Sequence, residues 1–113
     1  MINIEDMTLK QVREIQNLVG HNQQQGAGHP WKLEEYYVIR TVTMIQYGKL
    51  KAVYPQELVM EDCSWIADTA RFHDFLKDPT KCNECEPFTD DVVIGRGSII
   101  DAQIVSKVKM SQK

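Results

Sequence analysis

The longest run of β-branched and aromatic residues in the chain covers residues 36–60, and it predicts the centre of the fold. We interpret it as a central hairpin followed by a short third segment, with turns at residues 47–49 and 55–56. Apolar side chains occupy both alternating faces of the first strand. We therefore expect the protein's own helices to cover one face and another subunit to cover the other.

Helical periodicity lies on both sides of this hairpin. Residues 7–20 predict an amphipathic helix, with Thr8 as its N-cap and Gly20 after its end. Residues 69–77 predict a short inserted helix, and residues 21–30 predict a loop rich in Gly and Gln. The apolar stripes of the two helices consist of Leu9, Val12, Ile15, Leu18 and Val19, and of Phe72, Phe75 and Leu76.

Two further apolar runs within residues 92–105 predict closing strands, and residues 106–113 predict a basic tail that frays. Together these elements predict an α+β fold in a single domain, residues 1–113. Its sheet is a curved antiparallel sheet or a small β-barrel, with an N-terminal helix and one short inserted helix.

The charge and the hydropathy of the chain argue against two classes of function. A net charge of -3 argues against non-specific binding of duplex nucleic acid, which needs a basic surface. No apolar run is long enough to cross a bilayer, and the first residues lack the pattern of a signal peptide. We therefore expect a cytoplasmic protein without membrane contact, in which the three cysteines are free thiols.

The pair Cys82 and Cys85 forms a C-x-x-C motif, for which Cys63 and His73 are the nearby candidates to complete a zinc site. Structural zinc sites usually show two such tight pairs, and this chain has one. The acidic and Pro-containing sequence around the pair is also unlike a redox-active motif. We expect no metal and no cofactor, with zinc kept as the alternative.

The segment Gly95, Arg96, Gly97 and Ser98 is the candidate ligand site. Two glycines let a backbone approach an anion closely, and an arginine donates two hydrogen bonds to a phosphate. An ordinary β-turn with an exposed arginine is the alternative. No nucleophile or metalloprotease motif accompanies the carboxylates, so we do not expect an enzyme. Three further side chains are candidates to stack on or pair with the base of a nucleotide-like ligand, namely Trp65, Arg71 and Tyr54. A buried core position is the alternative for Trp65.

The chain resembles a family of short, uncharacterised proteins encoded by bacteriophages and prophages. The resemblance rests on four segments: MTLKQVREIQNLVG; HPWKL with YYVIRTVTMIQYGKLKAVYPQELVMED; SWIADTARF; and EPF with VIGRGSIIDA. It implies a viral accessory protein that is expressed early and acts in the cytoplasm of the bacterial host. The family supplies no activity that can be assigned residue by residue.

Two function classes follow as hypotheses. In the first, a non-enzymatic homo-oligomer counters host defence by sequestering a small anionic ligand such as a signalling nucleotide. In the second, the protein blocks a host complex through a surface patch, or is a minor virion component. Converging arginines between subunits favour the first class, and a contiguous acidic patch favours the second.

Overall fold

A computed structural model describes residues 29–113, and within them six strands and one α-helix form. All of these elements lie in one compact unit, Leu33–Lys113. The predicted helix at 7–20 and most of the predicted loop at 21–30 fall outside the described residues. The elements are β1 (Tyr36–Thr41), β2 (Ile45–Val53), β3 (Glu57–Asp68), α1 (Phe72–Lys77), β4 (Glu84–Pro87), β5 (Val92–Gly95) and β6 (Ile99–Val105).

The strands form one antiparallel sheet in the order β4-β3-β2-β1-β6, and β5 also pairs with β3. The predicted antiparallel sheet with a short helix is confirmed. The β-barrel alternative is wrong, because the two end strands of the described sheet do not pair with each other. The outer edge of β4 is instead occupied by Lys113, which exchanges two backbone hydrogen bonds with Cys85. No helix within residues 29–113 has the length and apolar character needed to cross a membrane.

The turn between β1 and β2 lies earlier in the chain than the sequence predicts. Arg40 pairs with Ile45, so the loop consists of residues 42–43, and β2 continues through the predicted turn at 47–49. The Thr41 hydroxyl accepts hydrogen bonds from the backbone N–H groups of Thr43 and Met44, at 3.4 and 3.0 Å. A threonine therefore closes this turn without Gly, Asn or Pro. The second turn, predicted at 55–56, does lie between β2 and β3.

Gly48 is a strand residue because β3 approaches it closely. Tyr47 pairs with Ser64 and Lys49 pairs with Glu61, so β3 carries one extra residue opposite Gly48. This β-bulge includes Asp62, whose φ of 53° lies in the left-handed region. A Cβ on Gly48 would lie 2.9 Å from both Cα and Cβ of Cys63. The glycine marks a close backbone approach within the sheet.

Both faces of the sheet carry buried side chains, and α1 packs on one of them, called the helix face below. The Tyr36 and Tyr47 rings stack there with centroids 5.5 Å apart, and Phe75 of α1 is fully buried. On the opposite face, Ile39, Leu50 and Met60 are fully buried. Covering of a face by another subunit stays a prediction. The buried cluster on the helix face contains Tyr36, Val38, Tyr47, Ile66, Phe75, Cys82 and Cys85.

Residues 106–113, the C-terminal segment, lie against the helix face, which differs from the predicted frayed tail. The Tyr47 hydroxyl accepts a 2.8 Å hydrogen bond from the Val108 N–H and donates a 3.0 Å hydrogen bond to the Ser106 carbonyl. Val108 and Met110 pack against the buried cluster. Alternation explains this arrangement, because these two apolar residues share one side of an extended segment whose lysines occupy the other.

Candidate functional site

The predicted ligand segment forms a short 3-10 turn, Arg96–Ser98, that bonds to the turn between β2 and β3. The Arg96 guanidinium donates through Nη1 to the Tyr54 carbonyl at 2.7 Å, and the Arg96 N–H donates to the Gln56 carbonyl at 2.8 Å. The Ser98 hydroxyl donates to the Gly95 carbonyl at 2.8 Å. These bonds give the turn a structural role, because they hold it against the turn between β2 and β3.

The two glycines of this segment are not required by the local backbone. Gly95 has a φ of -69°, which any residue adopts, and Gly97 does not lie in the left-handed region. A Cβ at either position would meet no atom within 4 Å. The chain therefore does not need glycine here for folding, and close approach of a ligand remains a prediction for this segment.

The other predicted site residues lie elsewhere, except for Tyr54, whose carbonyl accepts from Arg96. Gly95 pairs with Glu57 at the start of β3, whereas Trp65 lies eight positions further along that strand. At about 3.3 Å per residue this is a separation of roughly 26 Å. Arg71 is exposed and immediately precedes α1. The seven predicted residues thus occupy three separate places.

Trp65 lines a groove with a volume of about 430 Å³ at the end of the sheet where β1 turns into β2. The indole is 38% exposed, although it projects from a strand that is paired on both sides, with Gln46 and with Glu86. The groove has the volume of a small-molecule site, and its lining is mostly apolar with a few polar groups, as such sites usually are. The groove is lined by Arg40, Thr41, Thr43, Met44, Ile45, Trp65, Ile66, Ala67 and Ile100.

Arg40 is the one charged residue that borders the groove, but its side chain projects to the helix face. Trp65 projects to the opposite face, since it pairs with Gln46, which in turn pairs with Ile39. The Arg40 Nε donates to Asp101 at 2.8 Å, and its Nη2 donates to the second carboxylate oxygen of the same residue. The guanidinium also lies over the Phe72 ring, 5.1 Å from the centroid. Hydrogen bonding to Asp101 raises the pKa of Arg40, and the same bond lowers the pKa of Asp101. These contacts hold the guanidinium on the helix face, on the other side of the sheet from the Trp65 ring.

The groove can bind a molecule, but its lining offers little for catalysis. The described lining contains no histidine, cysteine or carboxylate, which are the usual proton-transfer and nucleophilic groups. The Thr41 hydroxyl is engaged in the β1–β2 turn. The surfaces that remain for binding are the Trp65 ring and apolar side chains.

Sequence reasoning named Trp65 as a stacking candidate and did not name the residues around it. The predicted turn at residues 47–49 placed Thr43 and Met44 inside a strand. One signal was present, because Thr41 and Thr43 supply the hydroxyl chemistry of a turn. β-branched residues are nevertheless far commoner in strands, and that preference determined the prediction.

The four candidate zinc ligands do not come together. Cys82 and Cys85 lie in the buried cluster of the helix face, whereas Cys63 lies on the opposite face beside Gly48. His73 is exposed on α1. Among residues 29–113 no group of three His, Cys, Asp or Glu side chains has the arrangement of a metal site. All three cysteines are free and buried.

Burial raises the pKa of two thiols and of one tyrosine hydroxyl, as follows. It raises the pKa of Cys63 from 9.0 to about 12. Burial, followed by the hydrogen bond to Cys85, raises the pKa of Cys82 from 9.0 to about 11. Burial and then the hydrogen bond to Asp62 raise the pKa of Tyr36 from 10.0 to about 12. Each group holds its proton more tightly in the folded state than in the unfolded state.

These shifts predict a loss of stability in base. Above about pH 9 the unfolded chain releases thiol protons that the folded chain retains, so the free energy of unfolding falls as pH rises through about 11 to 12. Below about pH 9 these groups contribute their full stabilisation. Urea unfolding followed by circular dichroism, from about pH 8 to about pH 11, measures the decline. Cys63→Ala removes part of the slope, and a midpoint that stays constant over the interval contradicts the prediction.

No family model matches the chain, and no curated protein and no solved structure matches it either.

Proposed function

We propose that this protein is a non-enzymatic binding protein whose Trp65 groove holds a small planar ligand with an anionic group, such as a nucleotide. The observation that carries the proposal is the partly exposed side chain of Trp65, which projects from a strand paired on both sides and borders a groove of about 430 Å³. This moves the proposed binding from the predicted Arg96 segment to the far end of β3.

Stacking supplies most of the expected affinity. A base on an exposed aromatic ring contributes about 1–3 kcal/mol and does so without strong sequence preference. The Arg40 guanidinium is bonded to Asp101 on the helix face, so the described lining supplies no cation beside the Trp65 ring. The groove therefore suits a ligand with few phosphates.

The biological setting of the proposal comes from the resemblance to phage-encoded proteins. A small protein that binds a nucleotide without converting it lowers the free concentration of that nucleotide. We propose that the protein, as a homo-oligomer, counters host defence by sequestering a signalling nucleotide in the bacterial cytoplasm.

A single-tryptophan protein tests the binding. Trp31→Phe leaves Trp65 as the reporter, since the chain has two tryptophans. AMP, ATP and cyclic diadenylate are titrated while fluorescence is recorded, with inorganic phosphate as the non-stacking control. We expect saturable quenching by at least one nucleotide and none by phosphate.

Calorimetry on variants then locates the site. Trp65→Leu is expected to abolish the binding heat, whereas Arg40→Gln, Arg96→Gln and Tyr54→Leu leave it unchanged. Loss of binding in Arg96→Gln with retention in Trp65→Leu would place the ligand at the 3-10 turn. Absence of heat with every nucleotide overturns the proposal.

A second candidate function is obstruction of a host complex through this same end of the sheet. Val42, Met44 and Ile100 are exposed apolar residues there, and clusters of such residues mark protein interaction surfaces. If this second function is correct, Trp65→Asp abolishes binding of the host protein, and nucleotides bind neither the wild type nor the variant. That pattern distinguishes obstruction from sequestration.

A further inference from the structure

Carboxylates surround Trp65 on the face of the sheet opposite α1. Trp65 pairs with Glu86 across β3 and β4, and paired residues share a face. Glu84 lies two positions before Glu86 and pairs with Asp68, so these two side chains lie on the same face. Cys85, between the two glutamates, belongs to the buried cluster of the helix face, as this alternation requires. We call Trp65, Asp68, Glu84 and Glu86 the acidic corner.

The carboxylates of the acidic corner form no ion pairs with the described residues, although all four residues of the corner are exposed. The described strands carry three cations, Arg40, Lys49 and Lys51. Each of these cations is paired with a carboxylate outside the corner. The corner is therefore a region of unbalanced negative charge around an aromatic ring.

Arginine is the side chain whose chemistry fits this combination. A guanidinium stacks on an indole ring, which attracts cations more strongly than the other aromatic rings do. The same group donates two parallel hydrogen bonds to a carboxylate. Paired strand residues have Cβ atoms about 5 Å apart, so one guanidinium can contact Trp65 and Glu86 together. Lysine carries a single ammonium and cannot form the planar paired contact.

We propose that the acidic corner docks an arginine-bearing segment of another protein. One arginine stacks on Trp65 and bonds to Glu86, and further basic residues of the segment meet Glu84 and Asp68. Charge complementarity selects such a partner, because opposite potentials speed the encounter and like charges are repelled. The inference rests on the second candidate function, obstruction of a host complex, and names the chemistry of its partner.

Basic segments of this kind are typical of proteins that bind nucleic acid, whose phosphates they contact. An acidic corner that occupies such a segment competes with the nucleic acid for it. The net charge of -3 favours the same partners and disfavours nucleic acid itself. Obstruction would then consist in keeping a basic host protein from its nucleic acid.

Apolar residues beside the acidic corner enlarge the contact. Met44 and Ile100 are exposed and line the groove together with Trp65. Protein interfaces commonly combine an aromatic and apolar centre with a polar rim, and Trp65 lies between the two here. A nucleotide stacked on Trp65 would compete with the arginine, because both need the same ring.

Fluorescence titration of the Trp31→Phe protein tests the docking, since Trp65 is then the only tryptophan. The probe is a short peptide of alternating Arg and Gly. A peptide with Lys at the Arg positions retains the charge, and one with citrulline retains the planar shape without the charge. We expect a saturable change in emission with the Arg peptide, weaker binding of the Lys peptide and none of the citrulline peptide. The Kd of the Arg peptide should rise with salt concentration.

Calorimetry with the same peptide locates the contact. Glu86→Gln is expected to raise the Kd about tenfold, because it removes the charge of one bonded carboxylate and keeps its shape. Trp65→Leu should raise the Kd at least as much. Glu57→Gln is the matched control, since it removes the same charge from an exposed residue at the other end of β3, and it should leave the Kd unchanged.

Absence of peptide binding overturns the proposal. An effect of Glu57→Gln as large as that of Glu86→Gln also overturns it, because the peptide would then be attracted by net charge alone. Nucleotide binding without peptide binding would leave sequestration intact and refute docking at the acidic corner. A host protein whose binding is lost in Trp65→Asp but retained in Glu86→Gln would support obstruction and contradict an arginine-bearing partner.

Discussion

Gly48→Ala is expected to lower the free energy of unfolding by about 3 kcal/mol, because the new methyl group has no space. Its carbon would lie 2.9 Å from two carbons of Cys63, one of them in the backbone. Flexible side chains can move away from such a contact, but a backbone atom moves only with its strand. β3 is paired with β2 on one side and with β4 and β5 on the other, so the displacement would strain neighbouring pairs.

Gly95→Ala and Gly97→Ala are the controls for this experiment, since a Cβ at either position meets nothing within 4 Å. Each is expected to change stability by less than about 0.5 kcal/mol. Urea unfolding gives all three values. A Gly48→Ala protein as stable as the two controls would show that β2 and β3 are farther apart than described, and Cys63→Gly should restore part of the loss in the double variant.

Removal of the C-terminal segment is the second large effect we expect. A stop after Val105 removes the two backbone partners of the Tyr47 hydroxyl and the apolar contacts of Val108 and Met110. Together these losses predict a destabilisation of about 3 kcal/mol. Tyr47→Phe in the full chain removes the hydroxyl alone and should cost about 1–2 kcal/mol.

Counting reactive thiols separates local opening from global unfolding in the truncated protein. The C-terminal segment covers Cys85, whose thiol contacts the Ser111 carbonyl, and Cys82 lies in the same cluster. Cys63 lies on the other face. Mass spectrometry after brief labelling should find two modified cysteines in the truncated chain and none in the full chain. Three modified cysteines would mean that the whole sheet unfolds, and none would mean that the segment does not protect the cluster.

The antiparallel sheet could be predicted because alternation and β-branched residues act locally along each strand. The turn position could not be predicted from the same signals. Gly48 has the composition of a turn residue, but its role depends on Cys63, which lies on another strand. The true turn at residues 42–43 consists of valine and threonine, and only the folded position of the Thr41 hydroxyl explains it.

The candidate site was predicted in part for a similar reason. Trp65 was named as a stacking candidate because it precedes a predicted helix N-terminus. Met44 reaches the same groove only because the chain turns at residues 42–43, so a misplaced turn separates the two residues in a sequence-based reconstruction. Arg96 was predicted to face a ligand because its flanking glycines suggested it, whereas its partner Tyr54 lies 42 positions earlier in the chain.

The strand order also sets the sequence of events during folding. β1, β2 and β3 are joined by short turns, so they can pair as soon as the unfolded chain collapses. The contacts that complete the helix face join residues about 60 positions apart, as in the 61-residue separations of Arg40 from Asp101 and of Tyr47 from Val108. Such long loops are entropically costly to close, so β6 and the C-terminal segment should be the last to pack against the sheet. The three-stranded intermediate would expose β1 as an edge, and aggregation should therefore compete with folding at that step.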